Sequence, residues 1–197
     1  MPEPTPKSAP KVLVIFEDGF EEIEAITPVD ILRRAGAKVF LAAANSGAGA
    51  VVVAGIVVVG GRSDVALLCE TDIGNIPPVE QFAALVLPGG PAVAKLRANP
   101  RIIALTQKFA DAGKIVGAIC AAPLVLKDAG LLEGRRYTVF PGCAEELPDA
   151  LVAERVVRDG NIITSRSAGT ALDFALALVA AIFSDEKANE IAREIVI

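Results

Sequence analysis

The chain is predicted to fold as an α/β sandwich, a mostly parallel sheet with helices on both faces. Short continuous apolar runs such as KVLVIF at 11–16 and IVGAI at 115–119 fit strands buried on both sides. Helix-length segments separate those runs. The junctions between them are short and glycine-rich, as strand–helix–strand units require.

Lys11–Phe16 is the first strand. Glu21–Ala35 is a helix with acids in its first turn, arginines in its last, and Gly36 where a terminating glycine belongs. Lys38–Ala44 is the second strand. Ala50–Gly60 is valine-rich around Gly55 and reads either as a bent strand or as a hairpin. Ala66–Cys69 leads to a strand end. Ala83–Leu87 is a core strand that stops at Pro88-Gly89-Gly90. Asn99–Ala112 is helical, Ile115–Ile119 is the strand before Cys120, and Ala121–Ala129 is a helix ended by Gly130. Arg136–Val139 reads as a strand, as do Glu154–Arg158 and Asn161–Thr164, joined by a tight Asp159-Gly160 turn. Gly169–Phe183 and Asp185–Val196 close the chain as helices. There is no internal repeat.

At 197 residues and 53% hydrophobic, the chain fits one domain over 11–197 behind a disordered tail at 1–10. The tail lacks the apolar core of a signal peptide. No apolar run approaches the roughly 20 residues that cross a bilayer. A cytoplasmic location without membrane attachment is the default. A net charge of −5 argues against nucleic acid as a main partner. Cys69, Cys120 and Cys143 have no CxxC spacing and the chain has no histidine, which argues against a metal site. It also excludes Cys-His catalysis.

In a parallel sheet, ligands sit beyond the carboxyl ends of the strands. Three segments meet there by topology: Glu17–Glu24, Pro88–Gly90 and Cys120. Cys120 lies at a sharp strand-to-helix junction, where a helix amino terminus favours the nucleophilic thiolate. Its alternative is a small buried hydrophobe. Glu21, Glu22 and Glu24 can all compensate the helix dipole. Glu24, whose face is bracketed by Ile23, Ile26 and Ile31, can instead be a carboxyl whose burial raises its pKa, making it a general acid and base. The Gly89 and Gly90 pair either serves only a turn or offers amides to a developing oxyanion, aided by the Ala121 amide. In Thr164–Thr170 the hydroxyls can cap the following helix, and Arg166 can pair with an acid. Cys69 reads as packing or interface. Cys143, in Phe140-Pro-Gly-Cys143, is a weaker candidate for a resolving thiol.

Four colinear stretches, Glu21–Gly36, Val86–Gly90, Ala118–Pro123 and Thr164–Thr170, resemble the ThiJ/PfpI superfamily. They fit best the branch containing the human Parkinson-disease-linked protein deglycase and bacterial ThiJ/YajL proteins. The resemblance covers roughly Lys11 to the C-terminus. It implies a flavodoxin-like sandwich, a homodimer, a reactive Cys120, a sulfur-bonded Glu24 and oxyanion-binding Gly89 and Gly90. It also implies cofactor-independent chemistry on reactive carbonyls, namely glyoxalase conversion of methylglyoxal to lactate or deglycation of proteins and nucleotides. Two departures matter. Ala121 stands where the protease-like branch has histidine, and Phe140 precedes Pro141 where the human-type branch has a pocket histidine. Glu24 is then the only evident proton carrier.

The leading expectation is a carbonyl-directed cysteine enzyme needing no cofactor. The alternatives are an oxidation sensor or redox-regulated chaperone acting through a Cys120 sulfinate, and a hydratase of a small electrophile.

Overall fold

The structure, a computed structural model, describes residues 8–45, 51–53 and 56–197. Most of the proposed disordered tail, and Ala50, Ala54 and Gly55 of the valine-rich stretch, fall outside them. The strands are β1 (Lys11–Phe16), β2 (Lys38–Ala43), β3 (Val51–Val53), β4 (Ile56–Gly60), β5 (Ala66–Cys69), β6 (Thr71–Asp72), β7 (Phe82–Leu87), β8 (Ile115–Ile119), β9 (Val156–Asp159) and β10 (Ile162–Ser165). The helices are α1 (Glu22–Arg34), α2 (Ala92–Ala98), α3 (Pro100–Asp111), α4 (Pro123–Asp128), α5 (Ala171–Ile182) and α6 (Asp185–Glu194).

Seven strands form the central sheet in the order β6-β2-β1-β7-β8-β10-β9. Every pairing is parallel except β9 with β10. Alternate side chains of β1 feed opposite cores, as a two-residue period demands. Val12, Val14 and Phe16 pack with α1, α5 and α6, whereas Leu13 and Ile15 pack with α2, α3 and α4. This is the three-layer, flavodoxin-like arrangement expected. Gly117 in β8 makes room for α5, because a Cβ there would lie 2.9 Å from both Phe174 and Leu178.

The valine-rich stretch is a hairpin: β3 and β4 pair antiparallel, and β5 completes a second, three-stranded sheet. Cys69, at the end of β5, is fully buried in the α1/α5 core and therefore packs rather than reacts. The β9–β10 connection is one residue later than expected, with Gly160 and Asn161 between the paired Asp159 and Ile162. Gly160 takes φ +59° there.

Three expectations need correction. Arg136–Val139 joins no ladder, because β9 already occupies the far edge of β10. Tyr137 and Val139 instead pack in the α3/α4 core, while the Thr138 amide donates to the Thr164 hydroxyl at 2.9 Å. The helix expected from Ala121 starts at Pro123 and runs only six residues, because tight turns fill 120–122. Finally, α2 follows the Gly-Gly-Pro turn where no helix was read; it is short and fenced by Pro91 and Pro100.

Candidate active site

The carboxyl ends of β1, β7, β8 and β10 lie side by side, and their following loops build one site. Cys120 ends β8 in the left-handed region, at φ +63°. That conformation costs a non-glycine residue about 1–2 kcal/mol. Two main-chain bonds hold it: the Cys120 amide donates to the Ser165 carbonyl at 2.8 Å, and the Phe140 amide donates to the Cys120 carbonyl at 2.9 Å. The chain therefore turns sharply, and the thiol stands above the sheet edge, partly exposed.

Glu24 lies in the first turn of α1, which Glu21 caps by accepting the Glu24 amide at 2.9 Å. Its side chain is 1% exposed and hydrogen-bonds the Cys120 thiol. The Gly89 amide donates to Glu24 Oε2 at 3.0 Å, and the Ala168 amide also serves this carboxyl. α1 can approach this closely only because position 89 is glycine: a Cβ there would sit 2.7 Å from Cys120 Cβ and collide with the carboxyl. Gly90 has φ +90° and would meet the Gly19 carbonyl oxygen at 2.6 Å, so that position also requires glycine.

Burial pushes the Glu24 carboxyl up to about 7, and the neighbouring Glu21 charge adds to this; the sulfur and two amides pull the other way. Burial likewise pushes the Cys120 thiol up to about 12, reinforced by Glu24, while the Ala121 and Gly90 amides favour the thiolate. The dipole reading of the sequence therefore has the right sign for the amides but not for the net effect. α4 is only six residues long, and burial beside a carboxylate outweighs it. Both contributions of Glu24 that oppose the thiolate depend on its charge, so they fall away once it is protonated.

Cys120, Glu24, Gly90 and Ala121 converge as expected from sequence. Gly89 also reaches the site, but its amide is committed to Glu24 rather than free for an oxyanion. Phe140 touches Cys120 through its main chain, and its ring is 43% exposed. Arg166 does not join the site through its guanidinium. It donates to the Val152 and Ala153 carbonyls, and among the described residues it pairs with no acid. Cys143 packs against the α3/α4 core while Cys120 packs on the opposite one, which disfavours a resolving thiol. Ala168 carries no role in the sequence reading of Thr164–Thr170, which offers capping hydroxyls and an Arg166 ion pair. Its signal is the run of small residues leading into α5.

Known proteins share this architecture. The chain is 37% identical to protein DJ-1 homolog B of Arabidopsis thaliana over 190 residues, 95% of its own length and 41% of that protein's. It thus spans less than half of that relative. It is 33% identical over 162 residues to a deglycase of Pyrococcus abyssi, covering 81% of this chain and 91% of that one. The crystal structure of Drosophila melanogaster DJ-1beta matches with a TM-score of 0.85 at 33% identity, covering 96% of this chain and 98% of that one. A model of the DJ-1/PfpI family fits residues 10–181. With that match spanning most of its length, the chain belongs to the DJ-1/PfpI family.

Proposed function

We propose that this protein is a cofactor-independent cysteine enzyme acting on reactive carbonyls, as a glyoxalase, a deglycase or both. One observation carries the reading: a thiol on a strained strand–helix junction beside a carboxyl that is 1% exposed. The deglycase name of the Pyrococcus relative agrees with it.

In the glyoxalase direction, Cys120 passes its proton to Glu24 as its sulfur attacks the aldehyde carbon of methylglyoxal. The product is a hemithioacetal, whose oxygen the Gly90 and Ala121 amides stabilise. Glu24 then moves a proton from the former aldehyde carbon to the adjacent one through an enediol, leaving a thioester. Water cleaves that thioester to lactate and returns the thiol. On a glycated amine, the same attack at the carbinol carbon would expel the amine. The substrate is a small carbonyl or a glycated side chain.

Lactate formation from methylglyoxal, measured for wild type, Cys120→Ser and Glu24→Gln, tests the scheme. Turnover should vanish in the first variant and fall about 10²-fold or more in the second. Equal turnover by wild type and Cys120→Ser removes the proposal.

A second reading rests on the same amides. Cys120 oxidised to a sulfinate would place its oxygens on Gly90 and Ala121, with Glu24 protonated against it. Intact-mass analysis after mild peroxide should then show two added oxygens on Cys120 alone.

A further inference from the structure

Ser165 and Thr170 are uncharged, buried and absent from the chemistry above. Their hydroxyls meet at 2.7 Å, at 0% and 1% exposure. Each has a second polar partner. Ser165 Oγ lies 3.0 Å from the Arg155 carbonyl oxygen, and Thr170 Oγ1 lies 2.8 Å from the Ser167 carbonyl oxygen while accepting the Ser167 amide at 3.1 Å. Two hydroxyl protons serve three contacts, so one hydroxyl donates to the other, which donates to its own carbonyl partner.

The segment fixed in this way touches both members of the reactive pair through main-chain groups. The Ser165 carbonyl accepts the Cys120 amide, holding the left-handed turn at the sulfur. Ala168, inside the turn closed by Thr170, directs its amide at the Glu24 carboxyl. One short stretch therefore sets the geometry of thiol and acid together.

We propose that the Ser165–Thr170 hydroxyl pair positions the Cys120–Glu24 couple, so that Ser165 and Thr170 are positioning residues for its proton sharing. The proposal rests on the nucleophile–acid pairing of the proposed function, but not on any carbonyl substrate. Glu21 acts on Glu24 from outside the pair. Arg155 is held by Asp173, Arg166 by carbonyls, Glu17 by Asn45 and Lys95, and Glu22 by the Ser63 amide.

Thr170→Val keeps the shape and removes the hydroxyl. The turn then loosens, and Glu24 loses a donor that favours its charge. Glu24 then stays neutral to higher pH, and with less charge facing it the Cys120 thiol should ionise at lower pH. Iodoacetamide alkylation of Cys120 across pH, followed by peptide mass spectrometry with Cys143 as internal reference, reads this directly. The midpoint for Cys120 should move downward by about one pH unit in Thr170→Val and stay at the wild-type value in Thr170→Ser. Cys143 should not move in either variant. A lowered Tm with an unchanged Cys120 midpoint would overturn the proposal and leave the hydroxyls purely structural. Should Thr170→Val fail to fold, Ser165→Ala carries the same expectation with the same readout. The assay needs no turnover, so failure of the carbonyl chemistry and failure of this positioning role give separate results.

Discussion

Glu24 is held where charge is unwelcome, and its stability and reactivity depend on pH together. Its pKa in the fold, about 7, lies above the ordinary value of 4.5, so the native state binds this proton more tightly than the unfolded chain does. Stability should therefore fall as pH rises from about 4.5 to 7 and level off above that. The loss is roughly 3 kcal/mol, taking one pH unit as about 1.4 kcal/mol. Urea unfolding at pH 5 and pH 8 should show the decline in wild type and a much smaller one in Glu24→Gln. Parallel pH dependence in the two proteins would mean that Glu24 titrates normally. The strain at Cys120, the buried acid and the tight glycine at 89 all lie together beside the Cys120 sulfur. Local destabilisation of this kind is tolerated because main-chain bonds from Ser165 and Phe140 over-determine the site.

At the level of elements, the site depends on how closely α5 sits on the sheet, because the turn before α5 carries Ala168. Gly117 sets that approach. A methyl group added there meets Phe174 and Leu178 at 2.9 Å in a core without slack, so Gly117→Ala should cost about 1–3 kcal/mol. The urea midpoint should drop, and an unchanged midpoint would show that α5 can retreat freely. α1 carries a comparable constraint. Pro28 lies inside it and removes the amide that would otherwise bond the Glu24 carbonyl, yet the helix continues to Arg34. Its first turn is anchored from outside as well, since Glu22 accepts the Ser63 amide at 2.6 Å and the Arg62 amide reaches the Phe20 carbonyl. The second sheet is thereby tied to the helix that presents Glu24.

At the level of the whole molecule, that junction leaves apolar side chains uncovered. Ile23 and Ile26 project from α1, while Val65 and Leu68 project from the strand β5 and its approach. We expect a second copy of the chain to cover them. Light scattering should then give about twice the 20.3 kDa chain mass, and paired Ile26→Asp and Leu68→Asp substitutions should halve it. A monomer in wild type at micromolar concentration would sink the expectation. Among the described residues, no helix is long and apolar enough to cross a membrane.

Much of this protein could be read from its sequence, because burial writes itself into local pattern. The continuous apolar runs of β1, β7 and β8 mark a parallel sheet, and their carboxyl ends, with the glycines at 89 and 90, mark where a site must form. Cys120, Glu24, Gly90 and Ala121 were legible for that reason. Tertiary contacts decided the rest. Arg136–Val139 has strand-like residues but no free edge to join. The Gly89 amide turned from a presumed oxyanion to Glu24, and Ala168 entered the site from a distant turn. A raised Glu24 pKa was legible too, but the raised pKa of the Cys120 thiol was not. It depends on how much water the folded chain removes from both groups at once, and desolvation belongs to the packed structure rather than to any local run of residues.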